Sequence, residues 1–234
     1  MLKIEIMNNY MDKDLIINQI HEYCINFEEQ YEALRKIFGE LEITKEFGEA
    51  ILYDIFNPKI RDVRFRLYIL MHSESKNLVI DKDTDYYLFR EAYIMTDNIY
   101  IQLNKNNLDY NYLTNHLKKF MDIKKYMNDD EKVIYDKLNS DLILYRGMCN
   151  SEKNSSLYGI SWTTDIEMAK KYVFYTKNKN HENSGWVAKI NINKEDIITI
   201  WKAKDKPEEF IINPNVFINK IEFEEIFNNR SNTK

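Results

Sequence analysis

Asp141-Leu142-Ile143-Leu144-Tyr145-Arg146-Gly147 is the stretch on which the fold turns. Before it, apolar residues recur at helical spacing. From Leu142 onward they recur every second residue, with Leu142, Leu144 and Arg146 on one side of a strand and Ile143 and Tyr145 on the other. Two further pieces belong to the same change of period. Gly159-Ile160-Ser161-Trp162-Thr163-Thr164 leads into a helical run from Asp165 to Phe174, in which Ile166, Ala169 and Val173 align and Thr164 or Asp165 can cap. Glu208-Glu209-Phe210-Ile211-Ile212-Asn213-Pro214 reads as a strand preceded by two carboxylates.

Working outward, Lys177 to Ser184 is polar and reads as a loop. Trp186, Ala188, Ile190 and Ile192 alternate with Val187, Lys189 and Asn191 as a strand. Ile197 to Trp201 and Phe217 to Phe223 supply two more strands. Upstream the pattern is mainly helical. Phe27, Tyr31, Leu34, Phe38 and Leu41 make one helix face, and Thr44 to Phe56 makes another helix stopped by Pro58. Arg61 to Met71 fits a strand or a helix. Helices are expected within 83–103 and 108–126, and Asn128 with Glu131 forms a capping box for the next. Gly147, Gly159, Gly185, Pro207 and Pro214 all fall after residue 140. The expectation is an α+β chain, with a mainly helical region over 1–138 and a β-rich domain of two small sheets over 139–234.

Bulk properties remove several classes of function. A net charge of −5 argues against a generally basic nucleic-acid binder, though it leaves a local contact with nucleic acid open. Cys24 and Cys149 are far apart and have no metal-ligand spacing, which points to a reducing compartment. The first residues lack a secretory h-region, and no run reaches the ~20 apolar residues of a membrane span, so a soluble cytoplasmic protein is expected. The chain contains no G-x-G-x-x-G, G-x-x-x-x-G-K-[ST], H-E-x-x-H or C-x-x-C. His21, His72 and His116 stand singly, and Arg61, Arg64 and Arg66 read as a solvated basic face.

What remains is an arginine, a serine and a glutamate, in that order, each at a strand edge. A guanidinium is planar, always charged and bidentate, the donor that a pyrophosphate wants. A fixed carboxylate stabilises a ribosyl cation and holds a ribose hydroxyl. A neighbouring hydroxyl orients that carboxylate without adding charge. Arg146, followed by a small Gly147, suits the first task, Glu209 the second and Ser161 the third.

The order, the intervening helix, polar loop and Lys189-Ile190-Asn191-Ile192 strand, and the aliphatic run after Glu209 together resemble a known family. It is the R-S-E class of mono-ADP-ribosyltransferases, which includes clostridial binary toxins and vertebrate ecto-enzymes. The resemblance covers roughly residues 140–225, with Ser161-Trp162-Thr163 where that family usually shows Ser-Thr-Ser. It implies an ADP-ribosyltransferase-like mixed β-fold of two small sheets around an NAD cleft, with NAD as substrate and no metal. Glu209 and Ser161 would be catalytic. Arg146 would hold the phosphates, and Tyr145, Gly147, Trp162, Thr163 and Tyr172 would line the dinucleotide. Trp162, Tyr172 or Tyr175 would pack on the nicotinamide, and loop 176–184 would close over it. The product would be ADP-ribose on a macromolecular target such as a protein, in the setting of an effector, a toxin or a phage-encoded modifier of host machinery. Pro207 departs from the pattern, because family members carry Glu or Gln two residues before the catalytic glutamate. The acceptor is therefore not inherited, and an NAD glycohydrolase or a non-catalytic binding protein are the alternatives.

Overall fold

Alternation around Tyr145 becomes strand β3 (Asp141–Cys149) in the computed structural model. The structure describes residues 27–40, 42–45, 48, 64–75, 77–94, 96, 99, 103, 112, 115–117, 119–120, 123–179, 184–202, 207–217 and 220–227. Among these the chain is α+β, with seven α-helices and two three-stranded antiparallel sheets. It divides into two compact units, Met1–Gln102 and Leu103–Lys234. No helix among the described residues is long and apolar enough to cross a membrane.

In the first unit, helix α1 (Phe27–Glu40) buries Tyr31, Leu34 and Ile37. A short parallel pair joins β1 (Glu42–Thr44) to β2 (Asn77–Val79). The segment that fitted either period is helix α2 (Arg64–Glu74). Its residues 67–71 are all buried, so tertiary packing on every side erased the amphipathic signal that would have marked it as helical. The solvated-face reading fails at Arg64, which is buried. Arg66 instead lies 3.9 Å from the Tyr31 ring centroid. Helix α3 (Lys82–Ile94) begins at Asp81, whose carboxylate accepts the Thr84 N–H at 2.8 Å and the Thr84 hydroxyl at 3.0 Å. His72 is satisfied inside this unit by Asp85, Nε2 to Oδ1 2.8 Å. Of the expected helix over 44–56, Thr44 instead ends β1, and most of the remainder, with Pro58, Arg61, His21 and Cys24, lies outside the described residues.

The second unit opens with α4 (Ile123–Tyr126) and α5 (Asp129–Asp136). The capping box read from Asn128 and Glu131 is present in both directions, at 2.9 Å each way. Glu131 is fully buried and also accepts the backbone N–H of Lys202 at 2.8 Å. Strand β3 pairs antiparallel with β5 (Ser184–Asn193), which pairs with β8 (Glu222–Phe227). The other sheet runs β4 (Ser161–Trp162), β7 (Glu209–Ile212), β6 (Ile197–Trp201). Central β7 buries Phe210, Ile211 and Ile212 in succession, as a strand covered on both faces does. One bridge couples the sheets: Tyr145 N–H to Thr163 C=O at 2.7 Å, and Thr163 N–H to Tyr145 C=O at 2.9 Å.

Helix α7 (Ile166–Lys179) lies on the β3–β5–β8 sheet, three residues into what the sequence suggested was loop. Ala169 and Val173 pack there with Val187, and Tyr145, Ile166 and Ile226 border them. The approach is so close that a Cβ at Gly147 would overlap the Ala169 carbonyl oxygen and sit 2.7 Å from the Val173 nitrogen. Both obstacles are backbone, so neither can rotate away. Gly147→Ala should therefore destabilise the second unit by about 2–3 kcal/mol, read as a lower urea midpoint at unchanged slope; an unchanged midpoint would contradict this packing.

Candidate functional site

Strand alternation decides what each residue of Tyr145-Arg146-Gly147 can do. Tyr145 and Gly147 face α7, so Arg146 emerges from the opposite side together with Leu144 and Met148. Its side chain is 18% exposed. Nε donates to Glu152 Oε1 at 2.8 Å and Nη1 donates to the Ser161 carbonyl at 2.8 Å. The guanidinium lies against Gly159, where an added Cβ would sit 2.5 Å from Cζ.

Glu152 comes from the short helix α6 (Asn150–Ser155), and its side chain is only 2% exposed. The same Oε1 also accepts the Gly159 N–H at 2.9 Å. One buried carboxylate thus fixes both the arginine and the loop that delivers β4. Nothing in the sequence singled out Glu152. It carries no motif, and its partner is defined only once the chain turns back after β3.

Ser161 is brought in by register. It pairs with Ile211, two residues on from Glu209. Residues at that offset lie on the same face, within reach of a hydroxyl and a carboxylate. Ser161 Oγ donates to Glu209 Oε2 at 2.7 Å. Glu152, Arg146, Ser161 and Glu209 therefore form one continuous chain of polar contacts, with the Ser161 residue contributing its carbonyl to one side and its hydroxyl to the other. Adjacent Glu208 accepts from Lys202 Nζ at 2.6 Å, away from Ser161. That hydrogen bond holds its carboxyl below the usual carboxylate range.

The remaining residues expected around a dinucleotide are placed otherwise. Trp162 is 1% exposed, donates Nε1–H to the Gly159 carbonyl at 3.1 Å and packs on Phe217, so its ring cannot stack on a ligand. Tyr145 and Gly147 support α7 from behind Arg146 and do not line the same face. Thr163 is buried, makes the inter-sheet bridge and accepts the Asp165 N–H at 3.1 Å. Tyr172 and Tyr175 are exposed on α7, at 45% and 48%. Residues 180–183 of the expected closing loop lie outside the described residues. Cys149 is buried and forms no disulfide among the described residues. A depression lined by Lys45, Asp81, Asp83, Thr84 and Tyr87 belongs to the first unit and includes none of these groups.

Comparison with protein-family models, with curated proteins and with solved structures returned no match.

The Arg146–Glu152 pair makes an asymmetric prediction. Arg146→Ala leaves a buried, uncompensated carboxylate, a loss of about 3–5 kcal/mol. Removing both partners as Arg146→Ala/Glu152→Ala should recover part of that loss in a double-mutant cycle of urea unfolding. Losses that simply add would show that the two charges do not depend on each other.

The Glu208–Lys202 pair gives a pH prediction. A depressed carboxyl stabilises the fold above its unfolded pKa, and that contribution is lost as the pH falls through the folded value. Lys202→Met should raise the Glu208 titration midpoint seen by NMR and remove its share of the acid sensitivity. An unmoved midpoint would show that the contact does not set the shift.

Proposed function

We propose that the second unit is an NAD-dependent mono-ADP-ribosyltransferase of the R-S-E type, with the dinucleotide bound where its two small sheets meet. The observation that carries this reading is the 2.7 Å hydrogen bond from Ser161 to Glu209, formed beside an arginine that is itself anchored to Ser161. These are the three groups the chemistry needs, from three separate strands.

In this reading NAD is the substrate and no metal takes part. Arg146 faces the pyrophosphate, where a guanidinium forms charge-assisted hydrogen bonds. Glu209, oriented by Ser161, engages the ribose next to nicotinamide. The bond from ribose C1′ to the nicotinamide nitrogen breaks, its electron pair leaves with neutral nicotinamide, and the carboxylate stabilises the cationic ribose. A nucleophile on the acceptor then bonds to C1′ and loses its proton. The acceptor is a macromolecule, a protein target in a cytoplasm, and the natural setting an effector or a phage-encoded modifier.

A second outcome, NAD hydrolysis, is favoured by one feature. The side chains just before Glu209 offer nothing to activate an acceptor. Pro207 has no polar group, and Glu208 is engaged by Lys202. Water then takes the acceptor's place.

Incubating the protein with labelled NAD and a cell lysate separates these outcomes. Label on a macromolecule indicates transfer, free nicotinamide with ADP-ribose indicates hydrolysis, and intact NAD contradicts both. Glu209→Gln keeps the shape and the acceptor for the Ser161 hydroxyl, so it should retain NAD affinity while cutting turnover at least about a hundredfold. Arg146→Lys keeps a charge but loses the planar fork, so its defect should fall on KM. A Glu209→Gln enzyme with wild-type turnover would overturn the assignment.

A further inference from the structure

The sheet face that carries Arg146 continues beyond it. Arg146 opposes Ala188, which opposes Phe223; one step along, Met148 opposes Trp186, which opposes Glu225. Directly paired residues share a face, so Trp186 and Phe223 stand on the same side as Arg146. Met148 and Ala188 are fully buried and form the floor between them. The two rings are half-buried and meet edge-on, centroids 6.4 Å apart at 89°.

The indole is held in place. Its Nε1–H donates to Asn150 Oδ1 at 2.5 Å, and Asn150 is in turn tied to Ser184. Lys153 Nζ sits 3.2 Å from the Trp186 ring centroid and 5.4 Å from that of Phe223. Lys153 follows Glu152 on α6, and it has no carboxylate partner among the described residues. Arg146, by contrast, shares its charge with Glu152.

Strand order gives this patch a direction. Strand β4 bridges one edge of β3, and β5 pairs with the other. Glu209, Ser161, Arg146, Trp186 and Phe223 therefore follow in the order β7, β4, β3, β5, β8. From β3 to β8 is two strand spacings, about 10 Å. A dinucleotide runs in the same sequence: reactive ribose, pyrophosphate, second ribose, purine.

We propose that Trp186 and Phe223, with Lys153, hold the adenosine half of NAD. Adenine takes the place of Lys153 over the Trp186 ring, and the displaced Lys153 takes the phosphate charge that an arginine already paired with Glu152 leaves uncompensated. This rests on the reading that the second unit binds NAD, and it adds a purine-selective subsite on the far side of Arg146 from the reacting bond.

The test is calorimetric titration of wild type, Trp186→Ala, Trp186→Phe and Lys153→Met with NAD and with nicotinamide mononucleotide, which lacks the adenosine. Thermal midpoints check the fold of each variant. Trp186→Ala should weaken NAD at least about tenfold while leaving the mononucleotide unchanged. Trp186→Phe, which keeps a stacking ring, should retain most of the affinity. Lys153→Met should weaken NAD and flatten its salt dependence, and it carries the test alone if Trp186→Ala does not fold. Equal weakening of both ligands, or no effect on either, overturns the subsite. A wild type that binds the mononucleotide as tightly as NAD overturns the subsite and leaves the NAD reading standing. A wild type that binds neither overturns both.

Discussion

Two backbone hydrogen bonds between Tyr145 and Thr163 are the constraint on which the second unit depends. They are the bridge from one sheet to the other, and they sit beside the candidate site residues. Arg146 follows Tyr145 directly, and Ser161 precedes Thr163 by two positions. A slip of one residue in β3 would exchange its two faces, sending the guanidinium under α7 and a tyrosine toward Ser161. The overlap that any side chain at Gly147 would make with α7 blocks that slip, because only the glycine-bearing face fits beneath the helix. Packing behind the strand thus fixes which side chains stand in front of it.

The arginine is bought at a cost. Glu152 is almost wholly buried, and a buried carboxylate is tolerated only with a partner and further hydrogen bonds. Arg146 and the Gly159 N–H supply them. The result is a guanidinium aimed by Glu152 and the Ser161 carbonyl, with part of its charge already neutralised inside the protein. Such a group positions an anion better than it attracts one. A nearby cation with no carboxylate partner among the described residues, Lys153, is what attraction would require.

Strands β3, β5 and β6 were legible because each keeps its period, β7 as an aliphatic run, and the Asn128–Glu131 box because it is local; the strand expected over Phe217–Phe223 falls instead at Glu222–Phe227, because Pro214–Phe217 closes a 3-10 turn. The serine–glutamate contact was suggested by order and became definite through register, which no local pattern encodes. Three things were not legible. Residues 67–71 of helix α2 are buried on every side, so its period vanished. Trp162 was expected beside a ligand, but a two-residue strand gives no alternation to show that its ring turns inward. Glu152 acts on residues six and seven positions away through a chain reversal, which single-sequence spacing cannot reveal.

The most direct measurement is a crystal structure of the Glu209→Gln protein soaked with NAD. The account predicts the nicotinamide ribose within hydrogen-bond distance of residue 209 and the pyrophosphate against Arg146. A dinucleotide bound on another surface, or none bound at millimolar concentration (about 4 kcal/mol of affinity or less), would contradict it.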